Sequence, residues 1–267
     1  MTDVGAVAPG ALAERQGNVM VITINRPEAS NAVNGAVSIG VGDALEEAQR
    51  DPEVRAVVIT GAGDKSFCAG ADLKAIARRE NLYHPDHPEW GFAGYVHHFI
   101  DKPTIAAVNG TALGGGTELA LASDLVVAEE RAQFGLPEVK VGLLAGAGGV
   151  FRIAQQQPRK VGMQMLLTGE PISAAEAADW GLINEVVPDG TVLEAALALA
   201  KRITVNAPLS VQASKRVACG ADDGVIPDEE PAWARTVREF GTLLRTEDAK
   251  EGPLAFAEKR PPVWKAR

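Results

Sequence analysis

Residues 104–128 read TIAAVNGTALGGGTELALASDLVVA, and the fold turns on how this stretch is interpreted. It is apolar over a length sufficient to cross a bilayer, for which about 20 residues are needed. It also contains Asn109, Glu118 and Asp124, and an ionisable group at the centre of a bilayer costs several kcal/mol. The run Gly114-Gly115-Gly116 marks a tight turn within it. The stretch is therefore read as a buried strand over 104–109, a turn, a buried helix opening near Gly115, and a second buried strand over 124–128.

The same pattern extends in both directions. NVMVITIN at 18–25 and RAVVIT at 55–60 are β-branched runs of strand length. Between them Val37, Val41, Leu45 and Ala48 recur at helical spacing, which predicts a helix over 31–50 that Asp51-Pro52 ends. Continuous apolar strands alternating with helices point to an α/β chain with mainly parallel pairing. Beyond about residue 150 helices dominate. Ser173-x-x-Glu176 is a capping box opening a helix that ends near Trp180-Gly181, and 191–203, 208–218, 229–244 and 246–258 read as helices. Asn206-Ala207-Pro208 supplies a boundary between an α/β core, 1–206, and a helical C-terminal region, 207–267.

Bulk properties exclude several classes. With 267 residues the chain can bury a core without staples. It carries 28 glycines but only 5% aromatic residues, which indicates backbone packed close to backbone or to a ligand. The net charge of −9 disfavours nucleic-acid binding, which depends on Lys and Arg neutralising phosphates. Cys68 and Cys219 are too few for a disulfide framework and form no CxxC pair, so a reducing, cytoplasmic compartment is expected. The opening MTDVGAVAPG lacks the apolar stretch of a secretory leader.

Nucleotide motifs fail as well. Gly61-Ala62-Gly63-Asp64-Lys65-Ser66 and Gly146-Ala147-Gly148-Gly149 both lack the spacing of a phosphate-binding fingerprint. All four histidines fall between His84 and His98, so a histidine-activated nucleophile would have to draw on that segment alone. Prolines at 85 and 88 keep His84 and His87 from sharing a helix face, and no metal site is expected there. Cys68 is read as buried packing rather than a nucleophile.

Three segments carry the chemistry: FCAGADLK at 67–74, ALGGGTE at 112–118 and FGLPE at 134–138. In the first two, glycine stands where a strand gives way to a helix. Small residues there expose backbone N–H groups, and a helix N-terminus adds positive partial charge. Two such N–H groups converging on one point form an oxyanion hole. Glu118 falls in the first turn of the buried helix, and Glu138 follows a proline on a separate segment. Two carboxylates near one carbonyl site can divide acid and base roles. Asp72 is read as a cap or structural carboxylate.

These segments resemble the enoyl-CoA hydratase/isomerase (crotonase) family. The similarity extends over nearly the whole chain, through Asn25-Arg26-Pro27 with Asn31-Ala32, Thr168-Gly169, the run 177–181 (AADWG), and the ending that includes 247–252 (EDAKEG) and 256–260 (FAEKR). The resemblance implies a spiral of ββα units with a helical C-terminal trimerisation region, and a homotrimer or a dimer of trimers. It implies an acyl-CoA substrate, no separate cofactor, no nucleic-acid or membrane partner, and a carbon–oxygen lyase. It assigns the oxyanion hole to the backbone N–H groups of Ala71 and Gly115. It assigns the acid–base pair to Glu118 and Glu138, with Glu118 as base towards water and Glu138 delivering a proton. It places Arg26, Ala69, Lys74 and Lys259 near CoA, Lys259 in the site of a neighbouring subunit, and Trp90, Phe92, Leu136 and Gly146 in the acyl pocket.

Some positions depart from the common hydratase pattern. Leu136 stands where many hydratases have Gln, and Ala145 where many have Pro. Leu136, the run 91–94 (GFAG) and the ending from Gly252 through Lys265 are similar to the carnitinyl-CoA (crotonobetainyl-CoA) hydratase branch. The alternatives left open are therefore a hydratase for that polar acyl group, a Δ3,Δ2-enoyl-CoA isomerase, and a CoA-ester-binding paralogue without activity. A peptidase on a similar spiral would need a serine with a nearby histidine, which neither oxyanion segment offers.

Overall fold

The apolar runs become strands because both of their faces are covered. In the computed structural model, which describes residues 10–267, Val19 and Val21 face one apolar cluster while Met20, Ile22 and Ile24 face another. The opening nine residues, where the sequence shows no leader-like run, lie outside the described residues.

The chain begins with β1 (Ala11–Gln16), β2 (Val19–Ile24) and α1 (Gly35–Arg50). Three units follow in which two strands precede a helical turn. They are β3 (Ala56–Gly61), β4 (Ser66–Cys68) and α2 (Leu73–Ala77); β5 (Thr104–Val108), β6 (Thr111–Leu113) and α3 (Gly115–Ala122); and β7 (Leu125–Glu129), β8 (Gln133–Gly135) and the 3-10 turn Pro137–Val141. Next come α4 (Gly149–Gln156), α5 (Arg159–Thr168), β9 (Ile172–Ser173), α6 (Ala174–Asp179), β10 (Glu185–Val187) and α7 (Val192–Thr204). The helices α8 (Pro208–Cys219), α9 (Glu230–Leu243) and α10 (Asp248–Ala257) complete the chain.

Each unit sends its first strand to one sheet and its second to another. The six-stranded sheet has the order β1-β2-β3-β5-β7-β10 and the four-stranded sheet the order β4-β6-β8-β9. The chain thus advances as a spiral of repeated turns. Pairing is parallel except for β1 with β2 and β8 with β9. Ala106, Val108, Val126 and Ala128 join α1 and Phe67 and Phe134 of the small sheet in the main core. On the other face, Val58, Ile105 and Val127 pack on Ala196 and Ala200 of α7. Burying each aliphatic side chain of this size contributes about 1.5–3 kcal/mol. Residues 104–128 form β5, β6, α3 and β7, and no helix of the described residues is long and apolar enough to cross a membrane.

The structure differs from the sequence reading at one helix start. The helix expected from residue 31 begins at Gly35, with Asn34 Oδ1 accepting from Val37 N–H as its cap. Asn31 is instead buried in left-handed backbone (φ 55°). Its Nδ2 donates to the carbonyls of Ala62 (2.9 Å) and Ser66 (2.7 Å). The capping box at Ser173 and Glu176 is present as read.

Close packing between α3 and β4 leaves no room at Gly116, where a Cβ would run into the Cys68 carbonyl. Gly116→Ala is expected to lower unfolding free energy by about 1–3 kcal/mol, an overpacking cost. Urea unfolding checks this; an unchanged midpoint and slope would contradict the packing described.

Candidate active site

The site is assembled where β4 and β6, parallel neighbours in the small sheet, end side by side. Gly70 (φ 90°) and Gly114 (φ 54°) turn the chain at these ends in backbone conformations that favour glycine. The two turns touch: a Cβ on Gly70 would stand 3.1 Å from Gly115 N, and one on Gly115 would stand 3.2 Å from Gly70 Cα.

This contact leaves two donors unspent. Ala71 forms an isolated parallel bridge with Val33, in which Val33 N–H donates to Gly70 C=O (2.8 Å) and Asp72 N–H donates to Val33 C=O (2.9 Å). The bridge uses the groups flanking Ala71, so the Ala71 N–H points away from it. Gly115 is the first residue of α3, so its N–H has no acceptor within the helix. Neither N–H donates a hydrogen bond among the described residues.

Glu118 lies in the first turn of α3 and is 3% exposed. Its Oε1 accepts from Gly149 N–H at 2.9 Å. Glu138 lies in the first turn of the segment Pro137–Val141. Its Oε1 sits over Gly114, where a Cβ would be 2.8 Å away, and its buried Oε2 has no hydrogen-bond partner among the described residues. Burial, and then the Glu138 charge, push the Glu118 carboxyl well above the usual range; N–H bonds from Gly149 and Ala147 and the charge of Arg152 oppose this. Burial likewise pushes Glu138 up. Two like charges in one buried site cannot both ionise cheaply, so this pair is suited to sharing a proton near neutral pH.

The remaining expected site residues separate into those brought near and those held elsewhere. Phe92 is buried with its ring directly against Gly115, filling the space a side chain there would need. Leu136 is buried in the main core immediately before the Glu138 turn. Gly146 lies between Leu144 and Phe240 of α9, with Phe240 Cδ2 3.4 Å from its Cβ position. Ala69 and Lys74 are exposed on either side of Ala71, and Lys259 is exposed just past α10 in left-handed backbone (φ 55°).

Trp90 is placed differently from its expected pocket position. It packs on Gly42 of α1, stacked between His87 (centroids 4.0 Å apart) and His98 (4.1 Å), so α1 rather than the carboxylate pair holds it. Arg26 is also committed elsewhere. Its guanidinium donates to Ala32 C=O (2.5 Å) and Asp72 (2.9 Å), which leaves its charge paired rather than free for phosphate. Asp72 caps α2, accepting from the N–H groups of Lys74 (2.9 Å) and Ala75 (3.1 Å).

The histidines are all carboxylate-paired: His84 with Asp43, His87 with Glu89, His97 with Glu230 and His98 with Glu46. Among the described residues no three His, Cys, Asp or Glu side chains group as a metal site. Burial pushes the Cys68 thiol up to about 12, which leaves it protonated and unreactive at neutral pH. Sequence reasoning missed Gly149 as the donor to Glu118, and it missed Arg152 behind it, because both contacts depend on tertiary packing.

A raised carboxyl pKa has a signed consequence for stability. The folded state holds the Glu118 proton more tightly than the unfolded state does. That contribution is therefore present at low pH and is lost as pH rises from the unfolded value through the folded one. Glu118→Gln removes the cost of the buried charge. It is expected to melt higher than the parent protein at pH 8, with the gap closing towards pH 5, as thermal unfolding at several pH values would show. A variant that melts lower at pH 8 would contradict the burial cost.

Comparison with known proteins gives three findings. Residues 14–267 match the family model described as enoyl-CoA hydratase/isomerase. The chain is 44% identical over 257 residues to a carnitinyl-CoA dehydratase of Salmonella typhi, covering 95% of this chain and 97% of that protein. Solved structures are similar to it as well. One, of a carnitinyl-CoA hydratase from Mycobacterium avium, is 79% identical with a TM-score of 0.97, covering 98% of this chain and all of that one (100%). The other, of an enoyl-CoA hydratase from Mycobacterium tuberculosis, is 44% identical with a TM-score of 0.76, covering 97% and 100%.

Proposed function

The chain belongs to the enoyl-CoA hydratase/isomerase family, and on that premise we propose that it adds water reversibly across the 2,3-double bond of an enoyl-CoA thioester. The single observation that carries this reading is the arrangement of two buried carboxyls beside two unspent backbone N–H groups. The thioester oxygen accepts from Ala71 N–H and Gly115 N–H, which stabilises the enolate-like charge as it develops. An oxyanion donor of this kind is worth about 3–4 kcal/mol. Water lies between the carboxyls. Glu118, whose carboxylate form is favoured by Gly149 N–H, removes a proton from water as its oxygen attacks C3. Glu138, protonated, delivers a proton to C2. No further cofactor enters this scheme.

A second reading concerns the acyl group alone. The 79% identity to the carnitinyl-CoA hydratase from Mycobacterium avium favours crotonobetainyl-CoA as the substrate, with the reaction type unchanged. Self-association into a trimer is part of the proposal. It is supported by Leu209 and Val217 of α8, Val237 of α9 and Phe256 of α10, which are largely exposed. The cytoplasm is the proposed location, in keeping with two free cysteines.

The test is loss of the conjugated-thioester absorbance of crotonyl-CoA and, separately, of crotonobetainyl-CoA. Glu118→Gln and Glu138→Gln are each expected to lower kcat by at least about a hundredfold, the scale of an acid–base group. A double glutamine variant with near-parental rates would sink the mechanism.

A further inference from the structure

Arg152 of α4 is 6% exposed, and its guanidinium is used unevenly. The Nε–Nη2 edge donates to both oxygens of Glu229, at 3.0 and 2.6 Å. The rings of Trp233 and Phe151 lie 5.4 and 5.5 Å from its central carbon, and Trp233 Nε1 donates to Glu229 at 3.3 Å. His97 stacks on Trp233 with centroids 4.8 Å apart and pairs with Glu230, so the segment carrying Phe92 joins the same cluster. The remaining corner, Nη1, is buried without a hydrogen-bond partner among the described residues and faces Gly148, where a Cβ would stand 3.1 Å from it.

Gly148 directly precedes the residue that holds Glu118. Arg152 N–H donates to Gly148 C=O at 3.0 Å, while the next N–H along, that of Gly149, donates to Glu118 Oε1 at 2.9 Å. A buried ion pair is a poor route to stability, because desolvation offsets most of its attraction. Its position here suggests another use. We propose that Arg152 is a positioning residue: it fixes the Gly148–Gly149 corner that orients Glu118 and places a buried positive charge behind that corner, which favours the Glu118 carboxylate, while Glu229 and Trp233 of the C-terminal region hold Arg152 in place. This rests on Glu118 being an acid–base group, as argued above. The charged and titratable groups facing Glu118 are Glu138 from the turn after β8, Arg152 from α4 and Cys68 from β4, and the Arg152 charge lowers the Glu118 pKa against burial.

The test combines the pH profile of kcat/KM on crotonyl-CoA or crotonobetainyl-CoA with carbon-13 NMR titration of the Glu118 carboxyl, assigned by its loss in Glu118→Gln. Arg152→Gln is expected to move the profile and the titration to higher pH by about one unit, the lower end of an opposite-charge effect. That shift corresponds to about tenfold less activity on the acid side. Arg152→Lys is expected to keep the midpoint while losing part of kcat, because an ammonium lacks the fork that grips Glu229. Glu229→Gln leaves the guanidinium less compensated and is expected to move both readouts to lower pH, which keeps the inference testable if Arg152→Gln does not fold. A merely structural arginine would change melting temperature alone. Unmoved midpoints in folded Arg152→Gln, or in Glu229→Gln, would overturn the proposal. If the parent protein hydrates neither thioester, the functional reading fails, and the NMR titration still decides the role of Arg152.

Discussion

Two polypeptide turns in van der Waals contact set the geometry of this molecule's chemistry. Gly70–Ala71 and Gly114–Gly115 meet at the ends of adjacent parallel strands, a close approach that glycine at 70 and 115 eases. A methyl on Gly70 would crowd Gly115 N at 3.1 Å, and one on Gly115 would run into the Phe92 ring. The approach leaves the N–H groups of Ala71 and Gly115 without acceptors among the described residues, seats Phe92 against Gly115 and brings Glu138 over Gly114. The spiral of strand pairs has to hold those strand ends in register for any of this to follow. The small sheet is fastened accordingly: Thr117 Oγ accepts from Gly135 N–H and donates to Ala112 C=O, tying α3 to β8 and β6.

The carboxyl pair opposes this stability. Burying Glu118 and Glu138 beside one another raises the cost of ionising both, and one oxygen of Glu138 has no hydrogen-bond partner among the described residues. Such an arrangement weakens the fold at high pH while keeping a proton available near neutrality, a trade expected where a site is built for proton transfer. The surroundings offset part of the cost with the Gly149 N–H and the Arg152 charge. Arg152 is itself held by Glu229 and Trp233, which ties the C-terminal region to the segment that carries Gly149.

How far the sequence could be read follows from the range of the interactions. Residues 104–128 were legible because each strand is a continuous apolar run whose two faces are both buried. The start of α1 was misplaced because Asn31 looks like a helix start, yet spends its side chain on the carbonyls of Ala62 and Ser66. β4, β6 and β8 have three residues each, too few for a period to show, although the glycines that follow β4 and β6 marked their ends. Trp90 and Arg26 were placed by family resemblance, but their contacts with Gly42, His98, Ala32 and Asp72 are set by packing. Arg152 and Glu229 lie 77 positions apart, and nothing local ties them together.

The most direct measurement of the central claim follows isotopes during turnover of crotonyl-CoA and crotonobetainyl-CoA in water labelled with oxygen-18 and deuterium. Paired carboxyls with an oxyanion hole should place the solvent oxygen at C3 and a solvent hydrogen at C2 of the same product molecule. Deuterium entering the acyl chain without oxygen at C3 would contradict hydration in favour of isomerisation, and incorporation of neither label would contradict catalysis altogether.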